Sequence, residues 1–514
     1  MELIPVIGLE IHVQLKTKSK MFCSCDNSGE NQPANTCICP VCLGHPGVLP
    51  VANKTAIKWS AKTALAINCQ INEYSKFDRK HYFYPDLPKA YQISQFDQPI
   101  GINGWLWIFN PETQQEEKIG INRLHLEEDA AKLFHDEKKK YSLVDYNRGG
   151  TPLMEIVSEP DIKNPAQAKL FLQELRQIMR YLDVSEADME KGHLRCDANI
   201  SLHPADEEKL YSKTEIKNLN SFKMVEKALE YEIQRQTKLW LEGNPPKELT
   251  TRGWNDHKGM TEEQRIKEEA HDYRYFPEPD LPPLHFLTAP DIICNAKEIA
   301  IDLQCLKADL PELPGDKRKR FMGEYDLNFE EAKLLTEEKK VAAFFEQVIS
   351  ELKSWVENLE KAKDNPKIWE ENRPLLIKSA SNIIINNLLP LLEQKQLPIN
   401  NMKLNPENMA ELVTLIFAKK LNSQSAISLL PKMIETGADP SHLMKDLNLS
   451  QITDEKELAK IIGQVIEKNP QPVADYKKGK EKALQVIIGQ VMAQTQGKAN
   501  AEIVLKLLKE KLNS

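Results

Sequence analysis

The sequence lacks several of the plainest pointers to function. No uninterrupted apolar run among its 514 residues approaches the roughly 20 that a membrane helix needs. The opening MELIPVIGLEIHVQL has neither the basic start nor the small-residue cleavage site of a secretory signal. A cytoplasmic protein without membrane association is therefore expected. There is no G-x-x-x-x-G-K-[ST] loop and no protein-kinase motif set, so any nucleotide needs another cradle. Repeats and low-complexity tracts are missing, which excludes solenoids and biased linkers. Positive charge is not in excess either: a net charge of -8 argues against nonspecific coating of nucleic acid or anionic membrane, while leaving room for a local basic face.

What is present is an ordinary globular composition, 41% hydrophobic and 28% charged, enough for about two to four domains with real cores. GLEIHVQL (8 to 15) alternates strictly, so Glu10, His12 and Gln14 share one face of a strand and Leu9, Ile11, Val13 and Leu15 the other. RCDANISL (195 to 202) repeats the pattern with Asp197, Asn199 and Ser201. KIGINRLHLEE (118 to 128) and KTEIKNLNSF (213 to 222) are further strand-like runs, whereas 165 to 182 and 223 to 243 read as amphipathic helices. Strands and helices in irregular order, with no regular βαβ alternation, predict an α+β domain with a mainly antiparallel sheet over 1 to 295. From 296 onward only helices are expected, in a segment to 405 and a tail from 406 to 514. Val341, Phe344, Phe345, Val348 and Ile349, then Leu484, Ile487, Ile488, Val491 and Met492, carry the helical spacing.

Five of nine cysteines fall between 23 and 42. Cys23 and Cys25 form a C-x-C pair, and Cys39 and Cys42 flank Pro40 and Val41 ahead of Gly44, a knuckle suited to tetrahedral structural zinc. Cys37 is an alternative to Cys39. The carboxylates Glu10, Glu127, Glu128, Asp129, Glu155 and Asp197, with His12, form a second set of interest, since Mg²⁺ in phosphoryl chemistry is held by one or two carboxylates plus phosphates. Alternation favours Glu127 over Glu128 on the polar face. Ion pairs with Lys80, Arg123 or Arg148 are the plainer reading of the same residues. Residues 77 to 100 offer Lys80 for phosphate and aromatics for stacking, or an irregular Tyr-rich core segment. HDEKKK (135 to 140) reads as a solvated turn. In the tail, DYKKGKEKAL (475 to 484) and GQVMAQTQGKAN (489 to 500) read as helix ends fit for phosphate backbones or as plain caps.

SKFDRKHYFYPDLPKAYQISQFDQPIG, RLHLEEDAAK, SLVDYNRGGTPLMEIVSEPDI, LRCDANISL, EIKNLNSF, KEEAHDYRYFPEPDLPP, PELPGDKRKRF and GQVMAQTQGKAN, with GLEIHVQL, occur in consistent order over nearly the whole chain. Together they closely resemble the B subunits of the aspartyl/glutamyl-tRNA amidotransferases. The resemblance implies ATP-dependent phosphorylation of the side-chain carboxylate of Glu-tRNA(Gln) or Asp-tRNA(Asn), then amidation by ammonia from the amidase (A) subunit, with a C subunit joining the two in a heterotrimer. It implies a Mg²⁺ and phosphoryl-transfer site of Glu10, His12, Glu128, Glu155 and Asp197, with Lys80 as the nearby cation and Lys80 and Arg148 on the ATP. It favours Glu128 where alternation favoured Glu127. It also implies structural Zn²⁺ on Cys23, Cys25, Cys39 and Cys42, a tRNA-binding tail, and a path shielded from water to the amidase site. No nucleophile motif for glutamine hydrolysis occurs, consistent with an outside ammonia source. RGWNDHKGM (252 to 260) and the helical stretch from 350 to 375 depart from the family pattern. The rival reading is a noncatalytic zinc-containing tRNA-binding scaffold, which has no need for the carboxylates to converge.

Overall fold

The computed structural model describes residues 2 to 513 apart from 137–139, 208, 267–271, 289–297, 361–362, 448, 450–451, 453, 478–479, 481 and 496–497. The expected division at 295/296, the middle of the HDEKKK turn and parts of both lysine-bearing tail segments lie outside the described residues. The chain divides into two compact units, Met1–Asp316 and Lys317–Ser514.

The first unit is built on a nine-stranded sheet with Leu3–Gln14 at its centre. That strand pairs antiparallel with Leu194–Pro204 on one side and Pro152–Ser158 on the other. Pro152–Ser158 in turn pairs antiparallel with Gln115–Glu128. Alternation decides what each face does. Ile7, Leu9, Ile11 and Val13 are at most 1% exposed and join a core with Phe171, Leu172 and Leu175 of helix Pro165–Tyr181 and Val225 and Leu229 of helix Phe222–Leu241. Each such burial is worth about 1.5–3 kcal/mol, so a slip of one residue, which would turn this set to water, is strongly disfavoured. The opposite face is thereby fixed as polar and open.

The fold class is α+β with a mainly antiparallel sheet, as the patterning predicts, but two connections differ from expectation. Thr214–Lys217 and Thr250–Asn255 run parallel because helix Phe222–Leu241 carries the chain back across the sheet, forming one βαβ unit. Strand Ile299–Asp302 also lies beyond the point where only helices were expected. It pairs parallel with Leu284–Leu287, and four residues are too few for periodicity to mark it.

The second unit is helical. One core cluster runs from Phe321 to Met444 and a separate one from Leu458 to Leu512; residues on both sides of 405, such as Leu404 and Met409, belong to the former. The basic run GDKRKRF is tied into the first cluster's surroundings: Lys317 and Arg320 both pair with Glu346, at 2.8 and 2.5 Å. Within the continuous helical run Ile368–Gln394, one 18-residue window reaches a mean hydropathy of 1.4, enough by length and composition alone to cross a membrane. Lys378, Ser379, Ser381, Asn382, Asn386 and Asn387 interrupt it, so it contains no uninterrupted apolar run of that length. Leu376, Ile377, Ala380, Ile384 and Leu388 on it are buried in the helical core.

Candidate active site and cysteine cluster

The sheet's open face collects polar residues by register alone. His12 stands opposite Arg195 on one neighbour and Glu155 on the other, and Glu155 stands opposite His125. The next row places Glu10 opposite Asp197. His12 Nε2 lies 3.4 Å from Glu155, 3.8 Å from Glu127 and 3.9 Å from Glu10. His125 Nε2 lies 3.2 Å from Glu155 and 3.7 Å from Glu127. Two overlapping groups result, Glu10–His12–Glu155 and His125–Glu127–Glu155, each with ligand atoms within 4.8 Å of one another. Oxygen-rich sets of this kind suit a hard divalent ion, with an imidazole as a further ligand.

The electrostatics are lopsided. Burial works to raise Glu155, but the charge of His125 and hydrogen bonds with His12 and His125 outweigh it and hold the carboxyl well below the ordinary range. Burial works to lower His125, yet Glu155 and Glu127 push it up to about 9. Glu10 moves the other way, raised first by burial and then by the negative charge of Glu155. Anionic Glu155 is thus embedded among cations, whereas Glu10, at the open edge of the set, holds its proton more readily.

Other expected residues sit around this centre. Asp197 is bound by Lys217 at 2.5 Å, and Lys217 also reaches Glu215 at 3.0 Å. Lys80 lies over the Tyr273 ring, 4.8 Å from its centroid, within the field of Glu127 and Glu155. Arg148 lines a cleft of about 800 Å³ that begins where the polar face continues through Gln14 and Arg195. Its guanidinium donates to the carbonyls of Ala130 and Ala131 at 2.9 and 2.8 Å and faces Asp129 at 3.8 Å.

Glu128 is not brought into the cluster. Its carboxylate accepts from the Ile93 N–H at 3.0 Å and pairs with Lys89 at 2.6 Å. It lines a small cavity with Cys23, Cys42 and Gly44. The strand continues to the last glutamate, so alternation places Glu127 with His12 and Glu128 on the other side.

The residues missed by sequence reasoning are His125, Arg195 and Lys217. The signal for the first two was available. His125 and Arg195 each lie two positions from a named acid on a strand and so share its face, whereas Lys217 lies two from Glu215, an acid the sequence reading did not single out.

Cys23, Cys25, Cys39 and Cys42 bring their sulfurs within 4.8 Å of one another, and Cys37 is outside the quartet. The Cys39 N–H donates to Cys42 Sγ at 3.1 Å, drawing the two ends of the pair together. The Cys42 thiol is lowered to about 5, first by its hydrogen bond with Cys23, which favours a thiolate there. A donor set of four sulfurs fits a soft or borderline ion in tetrahedral coordination.

The pattern of the GatB/GatE catalytic domain matches residues 5–289, and that of the GatB domain matches 370–512. Over 512 residues the chain is 46% identical to the B subunit of the aspartyl/glutamyl-tRNA(Asn/Gln) amidotransferase of Thermotoga petrophila, covering 99% of this chain and 98% of that one. This chain belongs to the family of aspartyl/glutamyl-tRNA(Asn/Gln) amidotransferase B subunits. The B subunit from Persephonella marina is 46% identical over the full length of both chains, and that from Brevibacillus brevis 44% over 99% and 98%. The acid–imidazole face and the cysteine quartet both lie within the span matched by the GatB/GatE catalytic domain. As a GatB-family chain it is one subunit of a tRNA-dependent amidotransferase.

Proposed function

We propose that this chain performs the activation step of that amidotransferase on Glu-tRNA(Gln), Asp-tRNA(Asn) or both, in the cytoplasm, as a heterotrimer with the amidase (A) and joining (C) subunits. A side-chain carboxylate oxygen of the misattached amino acid attacks the γ-phosphorus of ATP; the bond to the β-γ bridging oxygen breaks, giving an acyl phosphate and ADP. Ammonia supplied by the amidase then attacks the acyl carbon, phosphate leaves, and the amide forms. The observation that carries this reading is the convergence of Glu10, His12, Glu127 and Glu155 on one face, with His125 behind them. A scaffold would have no use for that arrangement.

Mg²⁺ held by Glu10, His12 and Glu155, with Glu127 alongside, would supply charge neutralisation for the phosphoryl group. The chain's own residues do the rest. His125 keeps Glu155 anionic and so ready to act as a ligand. Lys80 contributes fixed positive charge beside Glu127 and Glu155, where phosphate oxygens would sit. Asp197 acts at one remove by orienting Lys217 toward Glu10. Glu128, paired with Lys89, takes no part as a metal ligand in this reading. The 800 Å³ cleft has walls of mixed charge, and Lys16, Lys132, Arg148, Lys191 and Arg195 among its lining offer contacts for the phosphates of an RNA end.

Zn²⁺ on the four cysteines serves structure, since a closed tetrahedral site leaves no open position. The helices from Glu455 onward form the tRNA-binding tail.

The test is reconstitution with the two partner proteins, following ATP use and amidation of misacylated tRNA with ammonium as nitrogen source. Glu127→Gln and Glu155→Gln should each lower both by about two orders of magnitude or more while glutamine hydrolysis by the amidase persists. Full ATP-dependent amidation by these variants would sink the assignment. Truncation near residue 454, between the two helical clusters, should raise KM for tRNA and leave glutaminase activity unchanged.

A further inference from the structure

Lys20 is fully buried, at 0% exposure. Its ammonium donates to the Tyr146 carbonyl at 3.2 Å and lies 4.0 Å from Cys42 Sγ. Among the described residues no carboxylate forms an ion pair with it. An ammonium taken out of water and left with one carbonyl costs several kcal/mol, so a buried lysine is normally paired. The site also holds this side chain in place. The Lys20 N–H donates to the Cys25 carbonyl at 3.0 Å, the Met21 N–H donates to the Gly150 carbonyl at 2.7 Å, and Gly150, at φ +85°, closes over the Lys20 stem.

The charge partner is supplied by the donor set next door. Four thiolates around a divalent ion leave a net charge of about -2, buried in part and unbalanced by the ion itself. We propose that Lys20 is the counter-charge of the cysteine-bound metal and, through the Tyr146 carbonyl, ties that site to the loop bearing Arg148. This rests on the reading of the quartet as a metal site. The loop in question continues into Thr151 and Pro152, and Pro152 pairs with Glu128. Metal binding is thereby connected through covalent neighbours and hydrogen bonds to the strand that carries Glu155.

Two variants separate charge from shape: Lys20→Met removes both charge and donor, and Lys20→Gln keeps a donor for Tyr146 without the charge. Zn²⁺ affinity is read by competition with a chromophoric chelator, Co²⁺ coordination by its thiolate charge-transfer bands, and the thermal midpoint of metal-stripped protein by calorimetry. Both variants should bind Zn²⁺ about tenfold or more weakly than the parent, the range seen when groups behind metal ligands are changed. The midpoint of the stripped protein should not fall, because without metal Lys20 is an uncompensated charge. Unchanged Zn²⁺ affinity in Lys20→Gln would overturn the proposal, as would variants recovered only unfolded while stripped parent protein stays folded. If the parent itself binds neither Zn²⁺ nor Co²⁺ through sulfur, the metal reading of the cysteines falls and this proposal with it.

Discussion

The acid–imidazole face and the cysteine quartet both gather metal-type ligands, yet they are built in opposite ways. The first draws Glu10, His12, Glu127 and Glu155 from three strands up to 145 positions apart (10 to 155), held in register by backbone ladders and a core on the reverse side. The second takes four sulfurs from positions 23 to 42, a stretch whose only helical element is a three-residue turn, Gly29–Asn31. A sheet pre-arranges ligands whether or not an ion is bound. A loop with so few ladder bonds would rely on a bound ion for its geometry. Removing metal should therefore cost the first site activity and the second site order.

Four measurements probe that contrast. The largest effect is expected from Glu127→Gln, which should lower kcat for amidation about 10²–10³-fold, the scale for deleting one electrostatic contact to a transition state, with near-parent circular dichroism. Glu128→Gln should fall well short of that loss; the reverse order would overturn the placement of the two glutamates. Next, Ile11→Ala should destabilise the first unit by about 2–5 kcal/mol in denaturant unfolding, because the polar face depends on the core behind it. An unchanged midpoint would mean that the ladder alone sets the site. Third, Cys42→Ser or chelation should lower the thermal midpoint of the first unit by roughly 3 °C, equivalent to about 2 kcal/mol in a unit of this size, and raise amide exchange over 23 to 44 while leaving the central strand protected.

The smallest effect is a pH dependence in metal-stripped protein. His125, raised from 6.5 to about 9, stabilises the fold fully below pH 6.5, and that contribution fades as pH rises through 9. Glu155, held below its ordinary 4.5, contributes above that value and loses its contribution on acidification. The stability gap between parent and His125→Gln should shrink between pH 6.5 and 9. A gap that widened over this range would refute the charged pair.

Much of the site was legible because strands impose a period of two. GLEIHVQL and RCDANISL announce their polar faces, and the same rule separates Glu127 from Glu128. The family resemblance favoured Glu128, whereas the side chain beside His12 is Glu127. His125 and Arg195 obey the same rule and could have been named. Lys20 could not, since nothing in the local sequence KTKSKMF distinguishes a lysine destined for burial from one in water. The short strand Ile299–Asp302 was equally silent, being too brief for a period to show.

By itself, the sequence determined which residues face the core and which face the open side, since that follows from alternation and the free energy of burying apolar surface. It also determined the cysteine spacing, because a knuckle is a local geometry. Only the tertiary structure decided which strands lie side by side. That choice brings Glu155 between His12 and His125, sends Glu128 to Lys89, and buries Lys20 against Cys42. Such neighbours are set by long-range pairing, for which no local period exists.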